Sequence, residues 1–421
     1  MRRGGEPPVV DAHANAEPLR VLVLHNAYQQ AGGEDAVVEA EVALLRAHGH
    51  SVVTLLRHND ELGTLSAPAA ALQAMWSRDS ARRTAQAMAA HRPDVVHVHN
   101  TWPLLSPSVF STCQAAGVPV VQTLHNFRLA CPQAMFLRDG RVCTDCLGRT
   151  PWPAIEHACY RQSRAQTAVL AGHLVLHRQL GTWQHRVDRF IALNAFCRDQ
   201  LLRAGLPAQR VLIKPHFVAA PAAPPADAPR QGLLFVGRLS PEKGLDVLKQ
   251  ALHQLQTSGS GVGTVQLAGD GPMRAALAGA PTALQLLGEL IPADVGQRMR
   301  QAAALVLPSI CLESFPRVLV EAFAAGLPVI ASRLGALAEL VQHGHTGLLF
   351  EPGDARSLAD QLAWAAAHPL AMARMGQQAR AVYEAQYTPE RNIVLLRDIY
   401  AQAGARSQTV KAAAATPPAS R

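Results

Sequence analysis

The sequence predicts an α/β protein of two doubly wound, parallel-sheet domains facing a central cleft. Short β-branched apolar stretches alternate with amphipathic ones, a proline- and alanine-rich stretch at 218–231 interrupts that alternation, and the alternation then restarts. Strands buried on both faces read as near-continuous apolar runs. In the first half these are Leu19–His25, Ser51–Arg57, Asp94–His99, Val118–Leu124, Arg189–Leu193 and Val211–Lys214, with a helix over Glu34–His48 after the Gly32–Gly33 turn. In the second half they are Gly232–Val236, Val265–Ala268, Leu284–Leu287, Ala304–Leu307, Pro328–Ala331 and Gly347–Phe350. Helices are expected between them, including Pro241–Leu255, Pro316–Ala325 and Ala355–Ala367.

The expected organisation is a leader over 1–18, an N-terminal domain over 19–217 with a cysteine-rich insert at 126–163, and the linker at 218–231. A second domain over 232–388, a helix over 389–404 returning toward the first domain, and a disordered tail at 405–421 complete it. Ligands of such sheets bind outside the carboxyl ends of the strands, so both halves can present loops to the cleft.

Composition narrows the function. Of 421 residues 49% are hydrophobic and 17% charged, which is the balance of a globular body. The net charge of +8 is mostly arginine, with lysine only at 214, 243, 249 and 411, and it suits phosphate-bearing partners. No basic run carries interleaved aromatics, so a nucleic-acid partner is not expected. No apolar run reaches the roughly 18–20 residues that span a bilayer, and residues 1–18 lack the apolar core of a signal peptide; a cytoplasmic enzyme is expected.

Neither half has G-x-G-x-x-G after its first strand, and the chain lacks G-x-x-x-x-G-K-[ST], which argues against a dehydrogenase and a P-loop kinase. LLFVGRLSPEKGL at 233–245 offers another phosphate site. Ser240-Pro241 suits an N-cap and first helical turn, and Arg238 and Lys243 can converge on one anion beside a helix start. The second candidate is PSICLESFPRVLVEAFAAGLPVIAS at 308–332. There Glu313 precedes a helix opened by Ser314-Phe315-Pro316, and Glu321 stands in an otherwise apolar run where an unpaired carboxylate is costly to bury. Eight helical residues would separate the two carboxylates by about 12 Å.

These motifs resemble retaining glycosyltransferase family 4, the glycogen-synthase-like group with the GT-B fold. The resemblance runs over about residues 19–390 and rests on VGRLSPEKG, AGDGP at 268–272, ESFPRVLVEAFAAGLPVIAS and GLLFEPGD at 347–354. DVVHVHN at 94–100, TLHNF at 123–127 and the Gly-Gly-Glu loop at 32–34 match more weakly. The resemblance implies a nucleotide-sugar donor, with Arg238 and Lys243 on its diphosphate, Glu313 on the sugar and Glu321 on the ribose. It implies that Gly32, Gly33, Gly271 and the backbone over Ser314, Phe315, Pro316 and Arg317 help to cradle the donor. His125 would face the reacting sugar from the N-terminal side. Transfer to a glycan or lipid-linked hydroxyl acceptor with retained anomeric configuration, in surface polysaccharide or glycolipid assembly, is implied, with no cofactor required for catalysis. A nucleotide-sugar epimerase or hydrolase of the same fold, and a non-catalytic binding module, are the alternatives.

Cys131, Cys143, Cys146 and Cys159 surround a hairpin turn at Asp139-Gly140, and thiolates at that spacing could hold a structural zinc ion. Buried thiols and a redox-labile pair are the other readings. Arg164–Arg189 reads as one long amphipathic helix with Val169, Leu176, Leu180, Trp183 and Val187 on a stripe. That stripe is either core or, with its arginines, a peripheral contact at the inner face of a membrane carrying the acceptor.

Overall fold

The computed structural model describes residues 17–29, 32–219, 230–279 and 284–415, with side chains as far as Gln408. The leader lies outside these residues apart from Glu17 and Pro18, and so do positions 220–229 of the linker.

Each half holds one six-stranded parallel sheet. The first contains β1 (Arg20–Ala27), β2 (Ser51–His58), β3 (Val95–Val98), β4 (Val120–Thr123), β7 (Arg189–Ala192) and β8 (Val211–Ile213) in the order β2-β1-β3-β4-β7-β8. Between β4 and β7 lies a small antiparallel hairpin, β5 (Leu137–Arg138) and β6 (Arg141–Val142). The second sheet contains β9 (Leu233–Val236), β10 (Val265–Ala268), β11 (Leu284–Gly288), β12 (Ala304–Leu307), β13 (Val329–Ser332) and β14 (Gly347–Phe350) in the order β11-β10-β9-β12-β13-β14.

Strand alternation builds a core on each face of each sheet. In β1, Leu22 and Leu24 enter one cluster and Val21 and Val23 the other. In β9, Leu234 enters one cluster and Leu233 and Phe235 the opposite one. The helix Pro389–Ala415 lays Ile393, Leu396, Ile399 and Tyr400 against Val21, Val23, Val121 and Ile191 of the first sheet. A fully buried aliphatic side chain contributes about 1.5–3 kcal/mol. This returning helix is therefore integral to the N-terminal core.

The same helix corrects the expected tail over 405–415, while 416–421 lie outside the described residues. It continues through Ala415, and Arg406 pairs with Asp188 at 3.4 Å. The alanine-rich end, KAAAA, lacks an apolar stripe, but alanine is the strongest helix former and extends a helix already anchored upstream. The long helix expected over 164–189 is also broken. Helix Arg164–Gln179 ends near Leu180, Gly181 turns left-handed at φ 60°, and a short helix Thr182–His185 follows. Its buried face carries Thr167, Leu170, Ala171, His173, Leu174 and His177, while Leu176 and Leu180 of the expected stripe are exposed. Periodicity counted the apolar residues and missed that two hydrogen-bonded histidines face inward: His173 Nδ1 lies 3.0 Å from the Ala74 carbonyl and His177 Nε2 lies 3.0 Å from that of Met75.

In each sheet the strand order reverses beside the first strand, between β1 and β3 and between β9 and β12. That reversal opens a crevice at the carboxyl ends, where doubly wound sheets take ligands. The two halves meet there. The backbone amides of Ala195 and Phe196, at the start of helix Ala195–Arg203, donate to the Glu339 carboxylate of the second domain at 2.9 and 2.6 Å.

Candidate active site

The second domain's crevice is built by the loops after β9 and β12. After β9 the chain does not enter a helix at Ser240, as its cap-like sequence suggested. Pro241–Lys243 form a single 3-10 turn, Gly244 is left-handed at φ 70°, and the helix begins at Leu245. Ser240 makes no capping bond and instead meets the Glu242 carboxylate. Gly244 is required here by sterics: a Cβ on it would stand 1.8 Å from the Pro308 carbonyl oxygen. That close approach, with the Ile310 amide donating to the Glu242 carbonyl at 3.0 Å, stitches the two motifs together.

Lys243 and Glu313 meet as a result. Lys243 Nζ donates to Glu313 Oε1 at 2.7 Å, and Ser309 Oγ donates to the same oxygen at 2.8 Å. Burial pushes the Glu313 carboxyl up, but Lys243 outweighs it and holds Glu313 below its ordinary value. Burial likewise draws Lys243 down and Glu313 more than restores it, so the pair is ionised. Glu313 Oε2 makes no bond among the described residues, which leaves one carboxylate oxygen for a ligand. Arg238 is exposed at the end of β9 and has no ion pair among the described residues.

The helix after β12 starts later than expected, at Arg317, so Glu313 to Pro316 are a loop and the 12 Å helical spacing to Glu321 does not apply. Arg317 Nε lies 3.1 Å from Glu321 Oε1, and burial raises the Glu321 carboxyl above its ordinary value despite that cation. The expected cradle rests on backbone amides, and one of its four residues lacks that group. Phe315 is core, edge-on to His216 with ring centroids 5.2 Å apart. Pro316 has no backbone N–H to offer a phosphate. Ser314 is a clasp between domains: its hydroxyl donates to the His125 carbonyl, and its own carbonyl accepts from Asn194 Nδ2 at 2.7 Å and Cys197 Sγ at 3.1 Å.

The glycines divide in the same way. A Cβ on Gly271 would lie 2.4 Å from the Leu239 carbonyl oxygen, so the chain itself demands glycine there. A Cβ on Gly33 would meet nothing within 4 Å, and on Gly32 only the Asp35 carboxylate at 3.9 Å; both face open space at the start of helix Gly33–Ala47.

The first domain's crevice is lined with histidines. His125 is buried, and both ring nitrogens point at other histidines: Nε2 lies 2.9 Å from His99 Nδ1, and Nδ1 lies 3.3 Å from His216 Nε2. Its ring is engaged internally in this structure. His97 Nδ1 lies 3.0 Å from Glu41 Oε1, and Lys214 donates to Glu41 Oε2 at 2.8 Å and to Asn392 at 3.0 Å. In the sequence, HVH at 97–99 stands out only as part of a motif, and Glu41 and His216 do not stand out at all. Alternation along β3 could have flagged His97, because a strand buried on both faces leaves a histidine there in need of partners. Beside this row is a small cavity of about 40 Å³ lined by Glu34, Asn100, Trp102, Gln122, Arg128 and Trp183 among others. Burial raises the Glu34 carboxyl to about 7, against the Tyr28 hydroxyl that donates to it at 3.0 Å.

Cys131, Cys143, Cys146 and Cys159 all line one cavity of about 20 Å³ and none is in a disulfide. They are not drawn onto one centre. Among the described residues, the group of three potential ligand atoms found within 4.8 Å of one another is Glu41, His97 and His99, so the expected closed tetrahedron of sulfurs is not formed. Burial pushes the Cys131 thiol above its ordinary value.

Two family models match the chain in tandem: a glycosyl transferase 4-like domain over residues 32–216 and glycosyl transferases group 1 over 230–368. The boundary between them falls in the linker. The chain superposes on the Anabaena protein Alr3699/HepE, solved in complex with UDP, with a TM-score of 0.62 at 20% identity, covering 91% of this chain and 100% of that one.

The chain has the glycosyltransferase GT-B fold.

Among curated relatives, glycogen synthase of Mycobacterium tuberculosis is 29% identical over 300 residues, 69% of this chain and 64% of that protein. Phosphatidyl-myo-inositol mannosyltransferase of Mycobacterium leprae is 34% identical over 191 residues, 44% of this chain and 51% of that protein. This GT-B chain thus spans between half and two thirds of the length of those two relatives. No helix among its described residues is long and apolar enough to cross a membrane.

Proposed function

We propose that the protein transfers a glycosyl group from a nucleoside-diphosphate sugar to a hydroxyl acceptor, with retention of configuration, in polysaccharide or glycolipid assembly. The observation that carries this reading is the Lys243–Glu313 pair at the β9/β12 switch point, with Arg238 exposed and unpaired on the same loop. The anomeric C–O bond to the diphosphate breaks, the acceptor oxygen bonds to that carbon, and the acceptor's proton leaves with the nucleoside diphosphate. Arg238 and Lys243 offset the charge that develops on the leaving phosphate, which is where fixed cations contribute most. In this reading they fill the role of a divalent ion, and catalysis requires no cofactor.

Glu313 Oε2 takes a sugar hydroxyl while Oε1 stays bound to Lys243. Glu321 takes the ribose, exchanging part of its contact with Arg317. Gly32 and Gly33, which the chain leaves open, approach the diphosphate from the first domain. HepE's UDP complex and the names of the curated relatives support a nucleotide-sugar donor and a sugar or lipid-type acceptor. Leu72, Trp76, Leu176 and Leu180, exposed on the first domain, would form a peripheral contact at the inner face of a membrane. The four cysteines complete the proposal as a structural zinc site, closed by rotation of their side chains into the cavity they share; zinc in protein purified without chelator is the expected finding, and its absence removes the site.

The deciding experiment mixes the protein with UDP-, GDP- and ADP-sugars, with and without a lipid or glycan hydroxyl acceptor, and measures nucleoside diphosphate release. Release that depends on acceptor is expected. Release without acceptor points to a hydrolase or epimerase, and binding without release to a non-catalytic module.

A further inference from the structure

We infer that Glu41 is a positioning residue for His125: it fixes the ring proton on Nε2 of His99, His125 and His216, so that the three rings form a single hydrogen-bonded row of fixed direction. The row is visible in the distances. His99 Nε2 lies 3.4 Å from Glu41 Oε1, His99 Nδ1 lies 2.9 Å from His125 Nε2, and His125 Nδ1 lies 3.3 Å from His216 Nε2. Adjacent rings are stacked at shallow angles, with centroids 5.2 and 5.1 Å apart.

Three buried atoms that make no well-aligned hydrogen bond decide the direction: Glu41 Oε1, which His97 Nδ1 approaches to 3.0 Å and His99 Nε2 to 3.4 Å, His99 Nε2 itself and, at the far end, His216 Nδ1. A carboxylate can only accept, so the 3.4 Å approach of His99 Nε2 to Glu41 is attractive only if His99 Nε2 carries the proton. His99 Nδ1 is then bare and must accept from His125 Nε2–H. His125 Nδ1 is bare in turn and accepts from His216 Nε2–H, which leaves a bare, buried nitrogen, His216 Nδ1, on a ring that packs T-shaped with Phe315 of the second domain. The opposite order would aim a lone pair at a carboxylate and bury an unpaired N–H at the other end.

The row requires neutral rings and an ionised Glu41. Burial pushes His99 and His216 down to about 3 and His125 well below its ordinary value. Burial raises Glu41, but Lys214 and then His97 overcome it and hold the carboxyl well below its usual range. Lys214, 2.8 Å from Oε2, also supplies the positive charge that a metal ion among Glu41, His97 and His99 would bring. His125 thus meets the cleft with both nitrogens committed. Its contribution is a fixed ring and backbone, not a titrating acid or base. Only this kinetic consequence rests on the transferase reading.

The test is long-range proton–nitrogen NMR of the full chain labelled with 15N-histidine. Protonated Nε2 and bare Nδ1 are expected at His99, His125 and His216. A protonated Nδ1 at any of the three overturns the row. In Glu41→Gln, Lys214 selects the amide oxygen, so the NH2 group faces His99 Nε2 and forces it to accept; all three tautomers should reverse together. If they keep their order, Glu41 does not set it. Should this variant fail to fold, the wild-type spectrum still decides the direction of the row. Where the variant folds, kcat should fall by about an order of magnitude or more with donor KM unchanged, as when an orienting carboxylate is lost behind a histidine. Reversed tautomers with unchanged kcat would remove the kinetic consequence and leave the transferase reading standing. If no donor supports turnover in wild type, the spectra alone judge the row.

Discussion

The two crevices that face each other across this molecule handle charge in opposite ways. On the second domain, charged groups stand half-open: Lys243 bound to one oxygen of Glu313, Arg238 exposed, and Glu321 shared with Arg317. On the first domain, charge is withdrawn into a fully buried pair, Glu41 and Lys214, and what lines the crevice is a row of neutral histidines. The difference separates two tasks. An open, ionised face can grip a phosphate and release it, whereas a neutral, hydrogen-bonded face fixes geometry without competing for that phosphate.

Breaking the buried pair should have the largest effect. Lys214→Met leaves the Glu41 carboxylate buried without its cation, at a cost of about 3–5 kcal/mol by urea unfolding. Adding Glu41→Leu should recover much of that loss. An undiminished midpoint in the single variant would show that the pair is not the foundation of the histidine face.

On the open face the same kind of change should leave folding intact and reach turnover instead. Lys243→Ala should lower kcat by about 10²–10³, the scale for losing one donor to a developing anion. The two glutamates sharpen the contrast within that face. Glu321→Ala should weaken free nucleoside diphosphate binding, while Glu313→Ala should spare it and lower turnover. Equal losses of affinity would mean that one role is misassigned.

The smallest effect concerns pH. Glu34 titrates at about 7 in the fold, above its ordinary value of 4.5, so the native state holds a proton that the unfolded chain has lost. Stability drawn from that proton is present below 4.5 and is lost as pH rises through about 7. Glu34→Gln should therefore gain Tm relative to wild type as pH goes from about 5 to about 8. A gap independent of pH would place Glu34 in solvent.

The same contrast explains what the sequence made legible. The donor face comes from two local motifs, each at the end of one strand, so Arg238, Lys243 and Glu313 could be read directly as residue types beside a turn. The strands were equally readable; Val265–Ala268, Ala304–Leu307 and Gly347–Phe350 form as the apolar runs indicate. The histidine face escaped because Glu41, His97, His99, His125, Lys214 and His216 come from a helix, three strand ends and the approach to the linker, and only the fold brings them together. Local reading failed for the same reason at Ser240, where Gly244 packing on Pro308 overrides a good helix start, and at Gly181, which breaks a stripe that looked continuous. At the C-terminus, low apolar content was read as disorder where alanine propensity extends an anchored helix.

Transfer requires the open face of the second domain to bind a nucleoside diphosphate, and Arg238 tests that most directly because nothing among the described residues holds it in place. Calorimetric titration of wild type and Arg238→Ala with UDP, GDP and ADP is the measurement. At least one nucleotide should bind the wild type, and the variant should bind it at least about tenfold more weakly, the loss of about 1.4 kcal/mol that a charge-assisted phosphate contact supplies. Equal affinity in the two proteins, or no binding of any nucleotide to wild type, would contradict it.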